Sequence, residues 1–323
     1  MHENEYAYAV ARVRANEPNL LSKAETEQLI TAESYKAALR ILGDKGWNTD
    51  GESHDYAPML EAHLADAWQL LKESAPDVSL LDALVINNDF FNLKAALKAK
   101  FSDLDPRDYV LSPSVYDPEE IIACVADNRL GDLPECMTEC AVKAYDAIVK
   151  LESGRLADTA IDTAALRYRR ELAKRCESEL LTEEVEISAA AADIKTAVRC
   201  ARAGRTVEYI KNALCGCRYF DSDELIKAAF DGADAVAALL EGTELSSLAG
   251  SLREGLTAFE KQCDDAVTSL MTKAKYTAFG PDPLVAFYNA ASTETKNVRM
   301  ILSAKLNGFA ADTIRSRVRE VYA

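Results

Sequence analysis

The stretch GPDPLVAFYNAASTETKNVRMILSAKLNGF, residues 280–309, decides how the rest of the chain is read. Pro281 and Pro283 suit a first helical turn, where a missing N–H costs nothing, and Gly308 suits the residue just past a helix end. The spacing predicts one long helix between them. Its apolar stripe runs Leu284, Phe287, Ala291, Val298, Ile301 and Leu302. Glu294 falls inside that stripe, and Asn297 follows one turn later. A lone buried carboxylate is costly, so Glu294 needs a partner such as a neighbouring helix N-terminus, a Tyr hydroxyl or an Arg.

Two further helices carry the same signature. Asp89 is followed by Asn92 within a stripe of Val85, Leu93, Ala96 and Leu97, and Asp193 by Thr196 among Ala190, Ala197, Val198 and Ala201. A second marker also occurs three times, a helix opening with acids in its first turn and then paired aliphatics. These openings are AETEQLITAES from Ala24, DPEEIIACVAD from Asp117 and DSDELIKAAFD from Asp221. The recurrence implies an internal repeat of about a hundred residues, with units at 1–113, 114–218 and 219–323. Asp89, Asn92, Asp193, Thr196, Glu294 and Asn297 are the expected structural anchors.

Composition sets the class. Strand-like alternation is absent and helix formers dominate, so the expected fold is all-α. Asp117-Pro118-Glu119-Glu120 is a good helix start. No proline lies between Pro134 and Pro281, which leaves room for long helices such as Glu244 to Lys275. Gly242 and Gly250 read as helix ends. Residues of hydrophobic type make up 49% of the 323, which argues against disorder. Lys plus Arg is 37 against 53 for Asp plus Glu, a net charge of −16 that repels nucleic acid and anionic lipid. No apolar run reaches the roughly 18–20 residues that cross a bilayer. The opening MHENEYAYAV lacks the pattern of a secretory leader, so the expectation is a soluble, cytoplasmic chain that meets a membrane only through protein partners.

Chemistry is harder to find. The repeat sets the acids about a hundred residues apart, whereas acid–base catalysis needs carboxylates converging on one pocket. Phosphate loops, nucleophile elbows and metal motifs are missing, so no catalytic, cofactor-binding or metal residues are expected. Asp264-Asp265 alone is weak support for a Mg²⁺ site. The eight cysteines form no CxxC pair, and His2, His54 and His63 lie far from them in sequence. They read as buried or half-buried thiols of a reducing compartment.

Residues 280–309 resemble the C-terminal signature of the C-subunit family of V-type/A-type ATPases, whose eukaryotic member is the d subunit. The shared features are the Gly-Pro-x-Pro-Leu start, Asn297-Val298-Arg299, and a close at Lys305, Leu306 and Gly308. The start, Tyr6-Ala-Tyr8 then Ala11-Arg12-Val13-Arg14, fits as well, and the likeness spans the whole chain. Thr196, in place of an Asn, and Gly46-Trp47, where a Thr-containing helix end is expected, depart from it. The resemblance adds Arg299 to the anchors. It implies a non-catalytic rotor part, three similar helical subdomains arranged with pseudo-threefold symmetry as a funnel. One mouth would sit on the membrane ring of proteolipid c/K subunits, and the other would receive the central shaft, subunits D and F.

Arg12, Arg14, Arg315, Arg317 and Arg319 are candidate partner contacts, the last three on an expected final helix DTIRSRVREVYA with Ile314, Val318 and Val321 on one face. Solvated charge is the plainer reading of these arginines. Two rival functions remain: a helical scaffold or adaptor, whose usual repeat of roughly 30–45 residues is too short, and an all-α lyase, which would need facing acid clusters.

Overall fold

A computed structural model of the chain describes residues 5–49 and 55–323; His2 and His54 lie outside them. Among the described residues every regular element is helical. Helices α1 to α4 are Ala7–Asn16, Lys23–Thr31, Tyr35–Asp44 and Ala57–Ser74, and α5 to α8 are Ile86–Ala99, Pro118–Ala126, Glu135–Leu151 and Gly154–Arg175. Helices α9 to α12 are Glu179–Arg202, Val207–Ala213, Ser222–Asp231 and Ala233–Glu241. The last four, α13 to α16, are Ala249–Glu254, Leu256–Met271, Asp282–Leu306 and Ala311–Arg315. Short 3₁₀ turns join several of them.

The chain forms two compact units, one of Met1–Val78, Ser178–Leu181 and Glu260–Ala323, the other of Ser79–Glu177 and Thr182–Phe259. The first unit unites the two ends of the sequence. Leu29 and Ile30 of α2, Leu39 and Leu42 of α3 and Leu60 of α4 share one core with Val298, Ile301 and Leu302 of α15. The expected stripe on α15 is therefore buried, and what it packs against is the start of the chain. Burying side chains of this size contributes about 1.5–3 kcal/mol each.

In the second unit α5 packs on α6 and α8, α7 lies along α8, and α12 joins α11 to α13. Phe90, Leu93, Ile121 and Met137 are fully buried there. A buried ion pair crosses from α8 to α9. The Arg169 guanidinium donates to both carboxylate oxygens of Glu184, at 3.2 and 2.7 Å, and to the Ala83 carbonyl at 2.7 Å. All five of its donors cannot be matched by one carboxylate, and the carbonyl takes part of the remainder.

Local signals act as read at several helix ends. The Asp117 carboxylate accepts from the Glu119 N–H, Asp221 caps α11 from Asp223 and Glu224, and Ser22 with Glu25 forms a reciprocal capping box on α2. Gly242 ends α12, but Gly250 sits within α13. The expected continuous helix from Glu244 to Lys275 is broken. Gly255 adopts φ +136°, a conformation that side chains oppose, and separates α13 from α14. The expected final helix is also shorter than read. It stops at Arg315, and after a turn the chain runs on as irregular structure. Ile314 of α16 and then Val318 and Tyr322 of the irregular segment are buried.

All eight cysteines are free thiols, five buried and three half-buried. No described helix is long and apolar enough to cross a membrane.

Candidate functional site

The acids inside the apolar stripes all hold backbone. On α5, Asp89 and Asn92 point to one face, one turn apart. Beside them runs the irregular segment 110–116, whose amides have no helix or sheet to satisfy them and need other partners. Asp89 is fully buried and accepts from the N–H of Val115 at 3.0 Å and of Tyr116 at 2.8 Å. Asn92 exchanges two hydrogen bonds with Leu111, accepting from its N–H at 2.7 Å and donating to its carbonyl at 3.0 Å. The segment so fixed leads straight into Asp117, the cap of α6.

On α9, Asp193 does the same work. It accepts from the N–H groups of Cys215 and Gly216, both at 2.8 Å, and this segment leads to Asp221, the cap of α11. Thr196 makes no bridge of the Asn92 kind. Other side chains take the load instead. Arg167 donates to the Leu214 carbonyl at 2.8 Å, Arg170 to the Gly216 carbonyl at 3.0 Å, and Glu186 accepts from the Arg218 N–H at 2.9 Å.

Glu294 on α15 accepts from the N–H of Leu21 at 2.6 Å, and Nε2 of His63 lies 2.9 Å from its other oxygen. Leu21 precedes Ser22, the cap of α2. His63 is itself stacked on Trp47, ring centroids 3.7 Å apart, so the aromatic that departs from the family pattern backs this latch. Asp89 and Asp193 each fix the segment that feeds a helix opening further along the chain, and the last acid, Glu294, returns to the first opening. Backbone N–H groups of the loops are hydrogen-bond donors to all three acids, and the Arg167 charge also favours ionised Asp193.

Asn297 exchanges two hydrogen bonds with Arg319, at 2.9 and 3.0 Å, as Asn92 does with Leu111. Asp265 accepts from the Glu320 N–H at 2.8 Å, and Asp264 from the Arg319 guanidinium at 2.9 Å. These contacts explain why the last residues are not helical: side chains satisfy backbone groups that a helix would otherwise pair. The Asp264-Asp265 pair, weighed above for Mg²⁺, is spent on this task. Sequence reasoning missed a further pair of latches. Lys305 donates to the carbonyls of Ile30 and Ala32 at the end of α2, at 2.9 and 2.6 Å, and Lys100 to those of Val125 and Ala126 at the end of α6, both at 2.8 Å. Each lysine lies eleven residues after its acid, a repeated offset that was visible. The corresponding position after Asp193 is Gly204, which has no side chain to offer.

Burial pushes the Asp89 carboxyl up to about 6, against the pull of its backbone donors. Asp193 is raised by the same cause. Cys215, buried against Asp193, has its thiol pushed up, first by burial and then by that carboxylate's charge. Such a thiol is a poor nucleophile.

The candidate contact arginines divide into two groups. Arg12 pairs with Glu73 at 3.2 Å, and Arg14 pairs with Glu17 at 2.5 Å and reaches the carbonyls of Ala274 and Thr277. Arg315 bridges Glu27 and Asp312, and Arg319 is held as described. Arg317 and Arg299 are exposed and have no acidic partner among the described residues. Arg299, expected as an anchor, faces outward from α15.

A groove of about 660 Å³ beside α7, α8 and α10 mixes Glu135, Glu139 and Glu171 with Lys143, Arg167 and Lys211. No group of three or more metal-ligating side chains occurs among the described residues. What the structure does show is that α5, α9 and α15 each carry an acid that holds the backbone ahead of a helix opening. The family described as ATP synthase (C/AC39) subunit matches residues 9–317.

The chain belongs to that family. Among curated proteins it is similar to the C subunit of the V-type sodium ATPase of Enterococcus hirae, 24% identical over 317 residues that cover 96% of this chain and 97% of that one. It is also similar to the C subunit of the A-type ATP synthase of Methanocaldococcus jannaschii, 24% identical over 348 residues covering 96% and 85% of the two chains. A third relative, the C subunit of the A-type ATP synthase of a Desulfurococcus species, is 24% identical, with 98% and 91% covered. As a member of the C/AC39 family the chain is matched from α1 to the turn that follows α16, so the latches lie inside or at the edge of the family's extent.

Proposed function

We propose that this chain is the non-catalytic rotor part of a V/A-type rotary ATPase or ATP synthase, a socket that joins the membrane ion-carrying ring to the central shaft and passes torque between them. The observation that carries the reading is the family match across residues 9–317, with relatives covered almost end to end. The partners would be the proteolipid ring on one side and shaft subunits D and F on the other, with the membrane reached only through them, at its cytoplasmic face. Three helical repeats, 1–113, 114–218 and 219–323, would close as a funnel. Support comes from the last acid, Glu294, holding the segment ahead of the first opening, as a closed set of three requires and an open array does not. A torque-bearing part must also be stiff, and helices joined by buried side-chain-to-backbone latches resist shear better than helices joined by free loops.

The test is purification of the tagged full chain from detergent-solubilised membranes of its own cells. Ring and shaft proteins should co-purify in fixed proportion. Recovery of the chain without either would overturn the reading.

A further inference from the structure

Against a net charge of −16, the charged groups lining one concavity of the first unit are all cations. It encloses about 440 Å³ between α15 and the segment that follows it. Lys296, Arg299, Met300 and Ser303 fall on one face of α15 at successive helical spacings and form one wall. Ile314 and Arg317 form the other. Gly308, at φ +70°, lets the chain turn at the end of α15, and the Phe309 N–H reaches back to the Ala304 carbonyl at 3.0 Å. This helix-ending turn sets the half-exposed Phe309 ring at the rim.

The charges matter because of what they lack. Arg319 at the edge is neutralised by Asp264, but Lys296, Arg299 and Arg317 have no acidic partner among the described residues. Arg315, two residues away, shows the contrast, since it is engaged by both Glu27 and Asp312. Three cations without an acidic partner among the described residues, beside the apolar Met300, Ala304 and Ile314, match a partner that brings both carboxylates and an apolar side chain. A small anion would leave these apolar groups and Phe309 uncovered.

We propose that this basic pocket docks an acidic protein segment, one presenting clustered Asp or Glu beside an aliphatic or aromatic anchor that fills the space under Phe309. The proposal rests on the rotor reading for the setting in which that segment is met, and gives the chemistry that one of the neighbours must show.

The test is photocrosslinking in living cells with the full chain carrying Phe309→p-benzoylphenylalanine. The expected result is an adduct with another protein at a segment rich in Asp and Glu. That adduct should fall roughly tenfold or more in Arg299→Glu/Arg317→Glu and stay unchanged in Lys72→Glu, an exposed control on α4. Arg299→Gln/Arg317→Gln, with unaltered thermal unfolding, separates lost charge from lost fold. An adduct with lipid, with a segment lacking clustered acids, or within the chain alone would overturn the proposal, as would no adduct or one indifferent to the charge reversals. An acidic partner foreign to rotary ATPases would keep the pocket and remove the rotor reading; ring and shaft co-purifying without the adduct would do the reverse.

Discussion

Glu294, on the last long helix, accepts a 2.6 Å hydrogen bond from the backbone N–H of Leu21, near the other end of the sequence. The bond closes the first unit by joining α15 to the entry of α2. Replacing Glu294 with Leu strands the buried Leu21 N–H and leaves the half-buried His63 without its carboxylate. We expect a loss of about 3 kcal/mol in urea unfolding. Glu294→Gln keeps one acceptor for Leu21 and should cost about 1 kcal/mol. Equal stability of Glu294→Leu and the parent would remove the latch account.

The two asparagines should behave alike and the threonine differently. Asn92→Ala and Asn297→Ala each lose a double backbone bridge, and each should cost about 2 kcal/mol. Thr196→Ala loses none and should stay within about 0.5 kcal/mol of the parent. Chemical denaturation of the three variants checks this.

The ion pair of Arg169 and Glu184 makes a sharper prediction. Arg169→Met leaves a buried carboxylate alone and should destabilise by about 3–5 kcal/mol. Adding Glu184→Met removes the orphaned charge, and the double variant should recover most of the loss. No recovery would mean that the pair does more than neutralise itself.

Asp89 gives the pH prediction. Its folded value of about 6 lies above the ordinary 3.8, so between the two the native state binds more protons than the unfolded state. Its contribution is therefore complete below the unfolded value and is lost as pH rises through about 6. Lowering pH from 7 to 5 should raise the stability of the parent relative to Asp89→Asn by about 1 kcal/mol. Parallel urea midpoints at the two pH values would contradict this.

Much of the fold is legible in the residues, because helix class, caps and stripe follow from local rules. The three acids are legible too, since an acid at the centre of an apolar stripe is rare. Their partners are not. A backbone N–H is supplied by any residue, so nothing in Leu21, Val115 or Gly216 marks it as a target. The non-helical C-terminal segment misleads for a related reason. Arg, Val and Glu are acceptable in a helix, but Asn297 and Asp265 capture the backbone of Arg319 and Glu320 and outweigh that weak preference. Gly255 hides among Ser, Leu and Glu residues that all permit a helix, and only its φ reveals the break. The unpaired state of Arg299 and Arg317 is set by which acids fold near them, and sequence spacing does not report that.

The central claim is that this chain carries rotation between ring and shaft, and ATP-driven ion uptake tests it most directly. Membrane vesicles from cells lacking the chain should hydrolyse ATP at the head without accumulating ions, and adding the purified chain back should restore uptake. Uptake at the parental rate in vesicles that lack the chain would contradict the account.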